Sequence, residues 1–191
     1  MISLVVGLGN IGRRYAGTRH NLGFEVLDRA AAALGAPRAT RTGLDERTVC
    51  RRGDRTIVLA WPRTYMNRSG DAVAALLQDY GLRPAEVLVV VDDFNLPLGR
   101  VRLRTGGSDG GHNGLASIIA TLETQRFPRL RLGIGPAPEG VDPADFVLAK
   151  FEKSERTPAA EMIDTAAEAV LYSIDHRFEE AMNIFNANPA R

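Results

Sequence analysis

Residues 7–23 read GLGNIGRRYAGTRHNLG. A short apolar run, Ile2–Val6, leads into this stretch. A helical pattern leaves it, with Phe24, Leu27, Ala31 and Leu34 recurring at helical spacing before Gly35 and Pro37 stop it. The order is therefore strand, long loop, helix, with the loop at the carboxyl end of a strand, where open α/β sheets place their ligands. The loop holds several glycines, Asn10, Tyr15, Asn21 and His20, one of three histidines in the chain. Glycine permits tight turns and close ligand approach, and imidazole is the usual proton acceptor near neutral pH. The loop reads as half of an active site. Gly7-x-Gly9-x-x-Gly12 also fits the dinucleotide-binding fingerprint, but its surroundings do not. Arg13–Gly23 intervene before a clear helix, so the third glycine opens no helix N-terminus that could hold a pyrophosphate. The only acid near residue 30 is Asp28, in mid-helix.

The rest of the chain repeats the alternation. Two β-like runs, about 46–51 and 55–60, flank the turn Arg52-Gly53-Asp54. Ser69 stands where it can cap a helix that reaches Tyr80 and ends at Gly81, as Asn21 can cap the first helix. The run VLVVV at 87–91 reads as a central strand ending in Asp92-Asp93. Residues 99–105 alternate with period 2, the loop GGSDGGHNG opens a helix over 114–123, and a strand at 130–134 precedes a Pro-rich loop. A helix over 155–186 puts Ile163, Ala167, Val170, Ile174 and Phe178 on one face. The expected fold is a single α/β domain over 1–191, with a mixed, mainly parallel central sheet flanked by helices.

Composition narrows the function. The 191 residues are 45% apolar and 25% charged, ordinary for a soluble globular domain. MISLVVGLGN has no basic n-region, and no run is long enough to span a membrane, so the expectation is a cytoplasmic protein. Cys50 is the lone cysteine, which leaves neither a disulfide framework nor a cysteine metal cluster. His20, His112 and His176 are scattered without HExxH-type spacing. Ser108 lies among glycines but not in a strand–GxSxG–helix elbow.

What remains is a set of polar residues in four loops: Asn10, Tyr15, His20, Asn67, Asp92, Asp93, His112 and Asn113. Each has a plain structural explanation by itself. Asn10 fits a left-handed turn, Asn67 and Asn113 helix-end caps, Asp92 a turn, His112 a solvated loop. Gathered at one sheet edge, they supply a base, a carboxylate and several amides. A His oriented by Asp can deprotonate water, and amide donors can stabilise an oxyanion. With no Ser or Cys beside them in the pattern, attack by water is the simpler scheme.

GLGNIG…Y…TRHNLG, TYMNRSG, DDFNLPLGRVRLRTGGSDGGHNGL and RLRLGIG, in order over about residues 3–150, resemble the bacterial-type peptidyl-tRNA hydrolases. The resemblance implies cleavage of the ester between a peptide and the 3′ ribose of tRNA, by a cytoplasmic monomer that needs no metal or other cofactor. It implies His20 as proton acceptor, Asp92 as its orienting carboxylate, and Asn10 as the residue that tells blocked from free aminoacyl ends. Tyr15, Tyr65, Asn67 and Asn113 match substrate-contacting positions. Of Asp92 and Asp93, which point to opposite faces of a strand, the match favours Asp92. The chain departs from the family in Ile11, where proline is common, in Asn95, where Asp is frequent, and in Asp109, which adds a negative charge.

Net charge is only +1, so an RNA partner needs a local patch. Arg100, Arg102 and Arg104 share one strand face by period 2, as do Arg129 and Arg131. Arg102, Arg104 and Arg131 are the expected tRNA contacts, the plain alternative being arginines that protect a strand edge. The rival reading for the whole chain is a non-catalytic RNA-binding protein on the same fold.

Overall fold

A computed structural model of the chain describes residues 1–187. Seven strands form one sheet in the order β2-β3-β4-β1-β5-β7-β6. They are β1 Leu4–Gly7, β2 Thr40–Thr42, β3 Asp45–Arg52, β4 Arg55–Pro62, β5 Val87–Pro97, β6 Val101–Arg104 and β7 Arg129–Gly135. The central strands β4, β1, β5 and β7 are parallel, while β3 and β2 continue one edge and β6 the other in antiparallel pairs. The helices are α1 Leu22–Ala33, α2 Ser69–Tyr80, α3 Asn113–Leu122, α4 Pro143–Leu148, α5 Arg156–Asp175 and α6 Phe178–Ala187.

The sheet separates two cores. On one face Val5, Leu88, Val90, Leu130 and Leu132 pack with Val26 and Leu27 of α1, Ile163 and Val170 of α5, and Phe178 of α6. On the other, Leu4, Val6, Val89, Val91 and Val58 meet Val73 and Leu76 of α2 and Leu115 and Ile118 of α3. Strands buried on both faces need continuous apolar runs, which is why β1 and β5 read as they do. The alternation also fixes the polar end of β5. Asp92 continues the side of Leu88 and Val90, toward α1, and Asp93 continues the side of Val89 and Val91.

Gly7 and Gly23 abut where β1 meets α1. A Cβ on Gly23 would lie 2.4 Å from the Leu8 nitrogen and 2.6 Å from the Val90 carbonyl oxygen. One on Gly7 would lie 2.2 Å from the Gly23 carbonyl oxygen. These two glycines serve a helix–strand contact, which accounts for Gly7, the first glycine of the apparent dinucleotide motif.

Several sequence expectations need correction. Asn21 and Ser69 are not side-chain caps of α1 and α2: Asn21 bonds Asn10 instead, and the Ser69 hydroxyl donates to the Met66 carbonyl. The expected helix over 155–186 is two helices, broken at His176-Arg177. His176 is extended and stacks on Tyr172 at 4.0 Å, and the break keeps Phe178 and Ala181 on the core. The short elements β2 and α4 carry no periodicity long enough to read.

Candidate active site

Three side chains meet at Asp92, midway along β5 and just past the carboxyl end of the neighbouring strand β1. His20 lies in a 3₁₀ turn, Arg19–Asn21, just before α1. Its Nδ1 is 2.9 and 3.0 Å from the two Asp92 oxygens. His112 stands at the end of the glycine loop as the N-cap of α3, and its Nε2 is 3.2 Å from Asp92 Oδ1. All three are buried, Asp92 at 2% exposure. Burial pushes the Asp92 carboxyl up, but the His112 and His20 rings beside it outweigh this and hold it well below the usual carboxylate range. Asp92 is therefore an acceptor. His20 gives it the Nδ1 proton and keeps the Nε2 lone pair on the far side of the ring. Asp93, which lines the same cavity, is engaged elsewhere: its Oδ1 accepts from the Asn95 N–H at 2.9 Å, and it pairs with Arg131.

His112 is thus not a solvated loop residue. Its Nδ1 accepts the backbone N–H groups of Gly114 and Leu115 at 3.1 and 3.2 Å. His20, Asp92 and His112 offer ligand atoms within 4.8 Å of one another, as a metal site would. The hydrogen bonds oppose that use. With Nδ1 accepting, the ring proton sits on Nε2, the atom a cation would need.

Asn10 is joined to the His20 turn by a reciprocal pair. Its N–H donates to Asn21 Oδ1 at 2.8 Å, and its carbonyl accepts from Asn21 Nδ2 at 3.0 Å. Its side-chain Oδ1 accepts the Met66 N–H at 3.0 Å, which fixes the amide orientation and leaves the NH₂ as the uncommitted end. Asn10 is no left-handed turn residue, since Glu123 is the one non-glycine residue with positive φ among those described. The Met66 bond brings in the turn Met66–Arg68, which carries Asn67 beside exposed Tyr65 and packs on α3. Asn67 and Asn113 are exposed, and neither is a cap: His112 caps α3, and Arg68 holds the N-cap position of α2. Tyr15, half-buried, accepts from Arg14 through its hydroxyl at 2.6 Å.

A cavity of about 570 Å³ opens beside the His20–Asp92 pair. Of the residues singled out in the sequence it takes in His20, Asp92, Asp93, His112, Asn113, Arg104 and Arg131, but not Asn10, Tyr15, Tyr65, Asn67 or Arg102. The site therefore has two flanks, one of amides and tyrosines and one of arginines. Arg102 and Arg104 lie directly across from Arg131 and Arg129, two like-charge cross-strand pairs. Arg129 is grouped with Arg131 by period 2, which does not reveal its own role. It is buried at 2%, donates to the Ser108 and Gln125 carbonyls and stacks on Phe127 at 4.3 Å. Burial, then the Arg131 charge, lowers its pKa to about 10 against a counter-effect of Asp109, so it stays charged near neutrality. The far wall is α4, with Asp142, Ala144 and Val147. Asp142-Pro143 is a legible start signal for that helix, an N-cap followed by N1 proline. Arg19 secures the segment after α4 through the Lys150 carbonyl and Glu155, its guanidinium over Phe146 and Phe151.

Among the described residues no serine or cysteine side chain hydrogen-bonds either imidazole. An imidazole–carboxylate pair at the carboxyl edge of a parallel sheet is an arrangement suited to general-base chemistry in an α/β protein. A sequence model of the peptidyl-tRNA hydrolase family matches residues 4–191. A peptidyl-tRNA hydrolase of a Sulfurihydrogenibium species is 44% identical over 188 residues, 98% of this chain and 99% of that protein. One from Mycobacterium tuberculosis is 46% identical over 185 residues, 96% and 97% of the two chains. The crystal structure of peptidyl-tRNA hydrolase from Acinetobacter baumannii superposes with a TM-score of 0.92 at 34% identity, covering 100% of this chain and 97% of that one. The chain belongs to the peptidyl-tRNA hydrolase family.

Proposed function

We propose that this protein hydrolyses the ester joining a peptide, or an N-blocked aminoacyl group, to the 3′ ribose of tRNA, with His20 Nε2 as the proton acceptor. Water loses a proton to Nε2 as its oxygen attacks the ester carbonyl. Asp92 keeps the other ring proton on Nδ1 and stabilises the imidazolium that forms. The tetrahedral oxyanion is stabilised by amide donors from Asn10, Asn67 and Asn113. As the bond to the 3′ oxygen breaks, the imidazolium returns its proton to that oxygen, leaving free tRNA and a peptide acid. The observation that carries this reading is the buried Asp92 carboxylate on His20 Nδ1, which leaves Nε2 as a lone pair in the cavity.

Asn10 fits the choice of substrate. With its oxygen committed to Met66, it presents only donors, which suit an acyl carbonyl and not a free ammonium. Tyr15 and Tyr65 flank the same side. The tRNA acceptor arm lies toward Arg102, Arg104 and Arg131. Like charges directly opposite on neighbouring strands are destabilising, so a face that keeps two such pairs is suited to an anion. Edge protection does not explain them, because Asn186 of α6 already bonds both the N–H and the carbonyl of Leu103 on β6, at 2.8 and 3.1 Å. As the family resemblance implies, the protein acts as a monomer in the cytoplasm.

The test is incubation of catalytic amounts of protein with N-blocked aminoacyl-tRNA in the presence of a chelator. Multiple turnovers of released acyl group are expected. Binding without release would instead identify a non-catalytic RNA-binding protein.

A further inference from the structure

We propose that His112 is a positioning residue for this hydrolysis, its Nε2–H holding the Asp92 carboxylate on His20 and tempering the charge that His20 feels. The proposal rests on the reading of His20 as the base and adds a second imidazole with a different task. The two rings lie 4.9 Å apart, tilted by 49°, and share one oxygen, Asp92 Oδ1. What separates them is their other nitrogen. His112 Nδ1 accepts two N–H groups from the first turn of α3. Protonating it would break both bonds and set a cation at the positive end of a helix. These two bonds keep the His112 ring proton on Nε2, a fixed donor to Asp92. A carboxylate that accepts from His112 stabilises the His20 imidazolium less than it would alone, and it cannot turn away from His20 without losing the His112 bond. Because His112 ends the glycine loop and begins α3, the same contact ties the catalytic pair to the element that carries Asn113.

The other charged groups that face His20 across the cavity are Asp93, Arg104, Asp109, Arg129, Arg131 and Asp142. They stay constant when only position 112 changes, so a difference between variants at that position reports His112 itself.

Two substitutions divide the ring's functions. In His112→Asn the amide oxygen takes the place of Nδ1 and keeps the cap, but the donor to Asp92 is lost. In His112→Gln the amide nitrogen reaches the place of Nε2 and keeps the donor, but the cap is lost. For His112→Asn we expect kcat on N-blocked aminoacyl-tRNA to fall about tenfold, the effect of losing part of a charge-assisted hydrogen bond, with little change in KM. The acidic limb of its pH–rate profile moves to higher pH by about half a unit or more, because the unrelieved carboxylate favours imidazolium. His112→Gln should keep the wild-type limb and most of kcat while melting at a lower temperature. The proposal is overturned if His112→Asn keeps the wild-type rate and limb, which would make the cap the whole role of His112. Equal losses in both variants with an unmoved limb overturn it too. Neither result touches the assignment of His20, whose failure would appear separately, as retained turnover in His20→Ala.

Discussion

Replacing Asp92 by Asn removes one charge and almost no volume, and the geometry fixes how His20 must respond. The two carboxylate oxygens are 2.9 and 3.0 Å from His20 Nδ1, so in either orientation the new amide sets an NH₂ against that nitrogen. The His112 donor, 3.2 Å from Oδ1, fixes the amide oxygen there and the NH₂ at the Oδ2 position. An NH₂ donor against Nδ1 favours the tautomer in which His20 accepts there and carries its proton on Nε2, the atom assigned to take a proton from water. The expected loss in kcat is the whole value of a general base, about 10²–10⁴-fold, equivalent to roughly 2.7–5.5 kcal/mol. Amide replacement of the carboxylate in a Ser-His-Asp triad costs about 10⁴-fold by the same tautomer effect. KM should hold, since Asp92 is buried behind His20. The residual activity should show its acidic limb at lower pH, because a lost negative charge disfavours imidazolium. The assay is kcat and KM on N-blocked aminoacyl-tRNA across pH, with Asp93→Asn in parallel. Asp93 pairs with Arg131, so its variant should alter KM more than kcat. Turnover of Asp92→Asn within about threefold of wild type, far less than a general base is worth, would refute the tautomer argument. A larger kcat loss at Asp93 would refute the choice of carboxylate.

Three further outcomes rest on the same geometry. Asn10→Ala should lower the preference for peptidyl-tRNA over aminoacyl-tRNA; an unchanged ratio of kcat/KM values would place that discrimination elsewhere. Arg104→Ala should raise KM for peptidyl-tRNA, spare kcat, and reduce the slope of log affinity against log salt by about one. Arg102→Ala, outside the cavity, should do the same more weakly, and equal losses on a minimal peptidyl-nucleoside ester would make both arginines structural. Gly23→Ala drives a Cβ to within 2.4–2.6 Å of the Leu8 and Val90 backbone and should cost about 3 kcal/mol. For a domain of this size that is roughly 6–12 °C in Tm, and a shift under about 2 °C would contradict the close contact.

The parts legible in the sequence are those set by local pattern. VLVVV names a strand buried on both faces, and its period carries Asp92 and Asp93 to opposite sides. Arg102 and Arg104 fall on one face of β6 for the same reason. The rest depends on what the strands and loops meet. That Arg102 and Arg104 oppose Arg131 and Arg129 is a matter of register between β6 and β7, set by chain closure and not by either strand alone. That His112 caps α3 was open to reading, since it stands just before the helical pattern, but its bond to Asp92 joins residues 20 apart through the tertiary fold. The break at His176 was hidden because α5 and α6 bury their apolar faces in one core, so the periodicity runs across it. Asn21 and Ser69 look like caps because their residue types favour that role, but their partners proved to be Asn10 and Met66. Short α4 was readable only from Asp142-Pro143.

The most direct test of the mechanism is His20→Ala under single-turnover conditions with N-blocked aminoacyl-tRNA, the affinity for tRNA being measured on the same preparation. A lone pair on Nε2 that activates water predicts a fall of about 10²–10⁴-fold in the rate of ester cleavage with an unchanged Kd. A variant that kept more than about a tenth of the wild-type rate would lie below that range, and His20 would not be the base.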